Sequence, residues 1–157
     1  MDTLFSFTIT LLISMVAGSM MGYFNQYVGN EGGPRTFALV TIGSTLVTLV
    51  SIYFFNNSDQ PWLADPARIS AAVVAALSFL GTGLIWLSEE QRNNGLSSAT
   101  NLWVAALFGM MLGSGFSFTN MLVFFMIILV FIVLNFVERR LNARKYKVLD
   151  NSSEEQK

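Results

Sequence analysis

Polar and charged positions fall into a few short clusters along this chain. Between them run five apolar stretches, near Leu4–Tyr23, Arg35–Phe55, Pro66–Leu87, Ser97–Gly113 and Phe118–Val137. A helix needs roughly 17 to 25 residues to cross about 30 Å of hydrocarbon, and none of the five stretches carries a charge in its central section. The pattern predicts an all-α integral membrane protein, a compact bundle of about five transmembrane helices. The connections carry their own signals. Gly32, Gly33 and Pro34 open the second helix, and Asp65 ahead of Pro66 fits an N-cap followed by proline at the first helical position. Gly113, Ser114 and Gly115, with Ser117, Thr119 and Asn120 after them, predict a tight reversal that divides the last two spans.

Within the fourth span Asn101, Ala105, Gly109 and Gly113 recur every four residues. That spacing puts them on one side of a helix, and three of the four are small enough for close backbone approach to a neighbour. Gly18 with Gly22, Ala71 with Ala75, and Gly81 with Gly83 extend the small-residue pattern to the first and third spans. Their expected role is packing inside the bundle, with self-association into a homo-oligomer as a further use. Asn101 lies about one turn inside its end of the helix. An interhelical hydrogen bond, worth about 0.6 kcal/mol on average in membranes, is its expected role, and ligand binding is the alternative.

Composition narrows the chemistry. Charged residues make up 12% of the chain, about half the fraction of a soluble domain, and mean hydropathy is +0.54. Ten acidic residues nearly balance nine basic ones, so no basic surface for nucleic acid is expected. The absence of Cys and His removes thiol chemistry and the commonest acid/base and transition-metal ligands. No catalytic residue, metal site or cofactor is assigned, and an enzyme is not expected because the spans hold no titratable pair. Ser97 and Ser98 read as N-cap residues, having no base beside them to make either a nucleophile. The first run follows Asp2 without a preceding Lys or Arg, so it reads as a retained helix and not a cleaved signal.

Arg139, Arg140, Arg144, Lys145 and Lys147 directly follow the last span, which predicts a cytoplasmic C-terminus. Five crossings then put the N-terminus outside, Arg35 and Arg92 inside, and the loop with Asp59, Asp65 and Arg68 outside. Tyr23, Tyr27, Trp86 and Trp103 fall near one interface, Tyr53 and Trp62 near the other. The expected organisation is a transmembrane domain over residues 1–138 and a basic, then polar and disordered, cytoplasmic tail over 139–157, the basic part attracting anionic lipid. Candidate polar or interface positions are Arg35, Asp65, Arg68, Thr100 and Trp103. Arg68 reads as a headgroup anchor more than a substrate-binding group; Arg35, beside Glu31 and opposite Glu89, Glu90 and Arg92, carries the same two readings, and its cluster reads equally as a docking surface for a partner.

Three segments carry a resemblance: GYFNQYVGNEGGPRTFALVTIG (Gly22 to Gly43), DPARISAAVVAALSFLGTG (Asp65 to Gly83) and GLSSATNLWVAALFGMMLGSG (Gly95 to Gly115). In order and spacing they resemble the membrane domain of the MgtC/SapB family of bacterial inner-membrane proteins, over about Ala17 to Phe116. This chain departs from the family at Phe24 and Asn25, where a Glu-Arg pair is usual. It departs again at Ala72, Ala76 and Ser78, where Gln and glycines are usual, and at Thr100 and Asn101, in place of a small residue and Thr. The resemblance implies a short, divergent member without the soluble C-terminal domain of longer relatives. It also implies a non-enzymatic role, binding and modulating other inner-membrane machinery in connection with low magnesium, stress or virulence, with ATP synthase among the family's partners. The competing class is a transporter or channel subunit for Mg²⁺ or another small solute. Mg²⁺ is normally held by carboxylates and keeps most of its water. Only Asn101, Thr100, Thr82, Ser78 and Gln26 are expected to offer oxygens to an internal pocket.

Overall fold

In a bilayer the backbone must satisfy its own hydrogen bonds, so apolar runs of this length fold as helices. The computed structural model describes residues 2–57, 65–87, 92–115, 117–120, 122–123, 125–134, 136–137 and 140. Its helices are α1 (Asp2–Tyr27), α2 (Pro34–Asn56), α3 (Pro66–Leu87) and α4 (Arg92–Gly113), followed by a shorter apolar helix, α5 (Phe118–Leu134). The first four are long and apolar enough to cross a membrane.

The ends of these helices follow local chemistry. Gly29 and Gly32 adopt φ of 91° and 85°, the left-handed region open to glycine, and turn the chain from α1 into α2. Gly33 is the N-cap of α2 with Pro34 at its start. The Asp65 carboxylate accepts a hydrogen bond from the Ala67 amide at 2.9 Å, capping α3. Between α4 and α5, Asn120 Nδ2 donates to Gly115 O at 2.8 Å and to Ser114 Oγ at 3.1 Å, tying the reversal together.

Two boundaries differ from the sequence expectation. The first helix continues one turn past Tyr23, and α4 begins at Arg92, five residues before Ser97. Ser97 and Ser98 therefore lie inside the helix and are not its N-caps. The polar stretch Arg92, Asn93, Asn94 reads as loop, yet it forms the first turn, where amides have no intrahelical acceptor and polar surroundings suit them.

The bundle is organised around α2 and α4. Helix α1 runs antiparallel to α2: Gly18 meets Phe37, Ala38 and Thr41, Gly22 meets Gly33 and Pro34, and Phe7 packs edge-on against Tyr53 with ring centroids 6.5 Å apart. Helix α4 runs parallel to α2, while α3 leans on α4 and α2 from the outside. Met21, Phe37, Leu102, Ala105, Phe108, Leu112 and Phe131 form the apolar core. Outer faces also carry large apolar side chains, Phe79 at 82% exposed among them, as expected where the surroundings are lipid. Lipid supplies no hydrophobic drive to bring helices together, so packing and interhelical hydrogen bonds must do it.

Candidate functional site

Helices α2 and α4 meet along a seam of direct backbone contact. A Cβ added at Gly109 would collide with the Thr41 carbonyl oxygen and lie 3.1 Å from Ser44 Cβ; one at Gly113 would lie 2.7 Å from Thr45 O and from Thr48 Cβ. Glycine at these two positions lets the α4 backbone touch α2 directly. Hydroxyls on α2 use that proximity. Thr45 Oγ1 donates to Thr41 O at 2.8 Å within its own helix and reaches Gly109 O across the seam at 2.9 Å, a three-centre arrangement. Thr41 Oγ1 donates to Phe37 O at 2.8 Å, with Ala105 O a longer second acceptor at 3.4 Å. Ala105 is fully buried.

At one end of this seam, four polar side chains join α1, its following loop and α4. Asn25 is fully buried and donates through Nδ2 to Glu31 O at 2.6 Å and to Gly32 O at 3.0 Å. Both of its N–H groups face carbonyls, so its Oδ1 is left to accept, and Asn101 Nδ2 donates to it at 2.8 Å. Asn30 Nδ2, on the same loop, donates to Ser97 Oγ at 3.2 Å. The knot is neutral throughout. It fastens the α1–α2 turn onto α4, and it offers neither a base nor a charged ligand for a cation.

The remaining candidate positions lie elsewhere. Gly18 and Gly22 are close contacts, their added Cβ atoms lying 2.9 Å or less from α2 or loop backbone. At Gly81 a Cβ would only touch Ala99, and at Gly83 it would meet nothing within 4 Å. Gly83 is therefore not a close-packing position among the described residues, and Ala71 and Ala75 are exposed on α3; a small residue gives room for a neighbour without supplying one. Thr100, Ser78, Thr82 and Gln26 are exposed too, and the three hydroxyls donate to carbonyls of their own helices. The internal pocket expected from them is not formed; of that set only Asn101 turns inward. Arg35, Asp65 and Arg68 are exposed at helix ends or near them, and Trp103 is exposed midway along α4. Glu89, Glu90 and the Arg92 side chain, which complete the docking surface proposed for Arg35, lie outside the described residues, as do Asp59, Trp62, Arg139 and the tail from residue 141 onward.

Sequence reasoning missed the other half of the seam. Phe37, Thr41, Ser44, Thr45 and Thr48 are buried on one face of α2, and their spacing at three and four residues was a readable signal. Asn30 was missed as well. Asn25 was noticed only as the loss of a charge.

The sequence model described as the MgtC family matches residues 11–140. The chain is 39% identical over 112 residues to "Putative magnesium transporter YhiD" of Escherichia coli strain K12, covering 69% of this chain and 51% of that protein. It is 34% identical over 126 residues to protein MgtC of Salmonella typhimurium strain LT2, covering 80% of this chain and 51% of that protein. Protein SrpB of Synechococcus elongatus is 34% identical over 112 residues, covering 67% of this chain and 62% of that protein. The chain thus spans about half the length of the first two relatives. No solved structure gives a significant match.

Proposed function

The chain belongs to the MgtC family, and from that premise we propose that it is a non-enzymatic protein of the bacterial inner membrane that binds and modulates other membrane machinery. Magnesium homeostasis, stress or virulence is the setting this reading gives it. The N-terminus faces outward and the C-terminus lies in the cytoplasm. Its partner is another inner-membrane protein, met through the helices and the cytoplasmic loops.

One observation carries the choice of modulator over transporter. The buried polar side chains among the described residues are Ser, Thr and Asn, with no carboxylate among them. The seam hydroxyls of Thr41, Thr45 and Thr48 already donate to helix carbonyls. Mg²⁺ is a hard, strongly hydrated ion that is usually met by one or two carboxylates plus retained water. Stripping it against committed neutral groups in a seam closed by glycine contacts is unfavourable. The name of the Escherichia coli relative supports the competing transporter reading.

Purified protein in liposomes loaded with a Mg²⁺-sensitive dye separates the two. The modulator reading expects no Mg²⁺ entry above that of empty vesicles, together with co-purification of a second membrane protein from native membranes. Mg²⁺ flux that disappears in a folded Asn101→Leu variant would overturn it and install the transporter.

A further inference from the structure

The knot leaves one amide incompletely used. Asn25 commits both its N–H groups to loop carbonyls, so Asn101 is oriented with Nδ2 toward it, and Asn101 Oδ1 has no hydrogen-bond partner among the described residues. Asn101 also lines a groove of about 300 Å³ between α4 and α5, whose other walls are apolar, Val104, Leu107, Ile127 and Val130 among them. Asn101 and Leu134 mark the same end of the groove, since α4 and α5 run in opposite directions. Arg140 follows six residues after Leu134 on that side; it is exposed, with its guanidinium 5.1 Å over the Phe136 ring.

We propose that this groove is a binding site for one phospholipid with an anionic, hydroxyl-bearing headgroup. An acyl chain lies along Val104, Leu107, Ile127 and Val130, a headgroup or glycerol hydroxyl donates to Asn101 Oδ1, and Arg140 faces the phosphate.

The dimensions favour a slender chain over a partner helix. The α5 wall runs from Met126 to Leu134, about 12 Å of helical rise. A helix of about 10 Å diameter and that length occupies roughly 900 Å³, more than the groove holds. A partner helix would bridge the opening and leave its floor empty. Water is no better, because a cavity holds water only where two to four polar groups meet it, and Asn101 is the one polar side chain among the described residues of this lining. Chemistry selects the headgroup. An unpaired carbonyl oxygen calls for a donor, and a cation at the same end calls for an anion. The second groove beside α5, about 340 Å³ between α1, α4 and α5, has wholly apolar side chains and no such selector among its described residues.

The test uses the full chain in phosphatidylcholine nanodiscs doped with phosphatidylglycerol carrying a photoactivatable group on its acyl chain. Cross-links are mapped by peptide mass spectrometry, with labelled phosphatidylcholine as the parallel probe. Labelling by phosphatidylglycerol is expected to concentrate on Val104, Leu107, Ile127 and Val130. Val130→Trp, which plugs the groove at a position already half exposed, should abolish it, while Leu122→Trp elsewhere on α5 should not. Arg140→Gln should lower the preference for phosphatidylglycerol over phosphatidylcholine roughly fivefold, the effect of one basic residue near a charged headgroup. Mapping on the parent chain decides the matter even where a variant does not fold. Even labelling of every lipid-facing helix, equal labelling by the two lipids, or labelling that spares the groove positions would each overturn the proposal.

Discussion

Replacing Gly109 by alanine adds one carbon where the α4 backbone already touches α2. Its Cβ would be driven into the Thr41 carbonyl oxygen and against Ser44 Cβ, so α2 and α4 must separate. Overpacking of this kind costs about 1 to 3 kcal/mol. Separation also weakens the Thr45 hydroxyl's reach to Gly109 O, worth about 0.6 kcal/mol as a membrane hydrogen bond. Alanine returns about 1 kcal/mol through its better helix propensity, leaving a net loss of about 0.5 to 2.5 kcal/mol. Gly83→Ala is the matched control, because a Cβ there meets nothing within 4 Å and only the propensity gain applies. Unfolding of both variants by sodium dodecyl sulfate in mixed micelles, followed by circular dichroism, should shift the Gly109→Ala midpoint down and leave Gly83→Ala at or above the parent. Since the main obstruction is backbone, Ser44→Gly should not restore Gly109→Ala. A Gly109→Ala variant as stable as Gly83→Ala would refute the packing argument.

The spans were legible because the bilayer imposes one requirement on every crossing segment, a long apolar run without central charge, and that requirement is written residue by residue. The α4 stripe was legible for a related reason, since Ala105, Gly109 and Gly113 at four-residue spacing say that something comes close. What comes close was not legible. Helices α2 and α4 are not neighbours in sequence, and Thr41, Thr45 and Thr48 look like ordinary polar interruptions until the parallel register pairs them with Ala105, Gly109 and Gly113. Gly83 shows the converse, a small residue with no neighbour to accommodate among the described residues. The Asn25 knot was hidden more deeply. Its acceptors are backbone carbonyls six and seven residues ahead, brought within reach only by the left-handed turns at Gly29 and Gly32.

Asn25→Ala strands the Asn101 amide and two loop carbonyls and should cost about 1 to 3 kcal/mol. Asn101→Ala should cost less, and a double-mutant cycle in micelles should show coupling between them. Asn120→Ala removes both side-chain bonds that tie the α4–α5 reversal. It should cost about 1 kcal/mol and speed hydrogen exchange at the Ser114 and Gly115 amides. The orientation of the bundle can be read directly, because the chain has no cysteine of its own. Arg35 begins α2 at the end that holds the Asn25 knot, whereas Ala67 begins α3 at the opposite end, and both are exposed. The basic residues after the last span lead to the expectation that the Arg35 end faces the cytoplasm. In intact cells a membrane-impermeant maleimide should therefore label Ala67→Cys through a permeabilised outer membrane and leave Arg35→Cys unlabelled until the inner membrane is broken. The reverse pattern would invert the orientation. Labelling of both from outside would contradict a crossing between them, and with it the assignment of α2 as a membrane span.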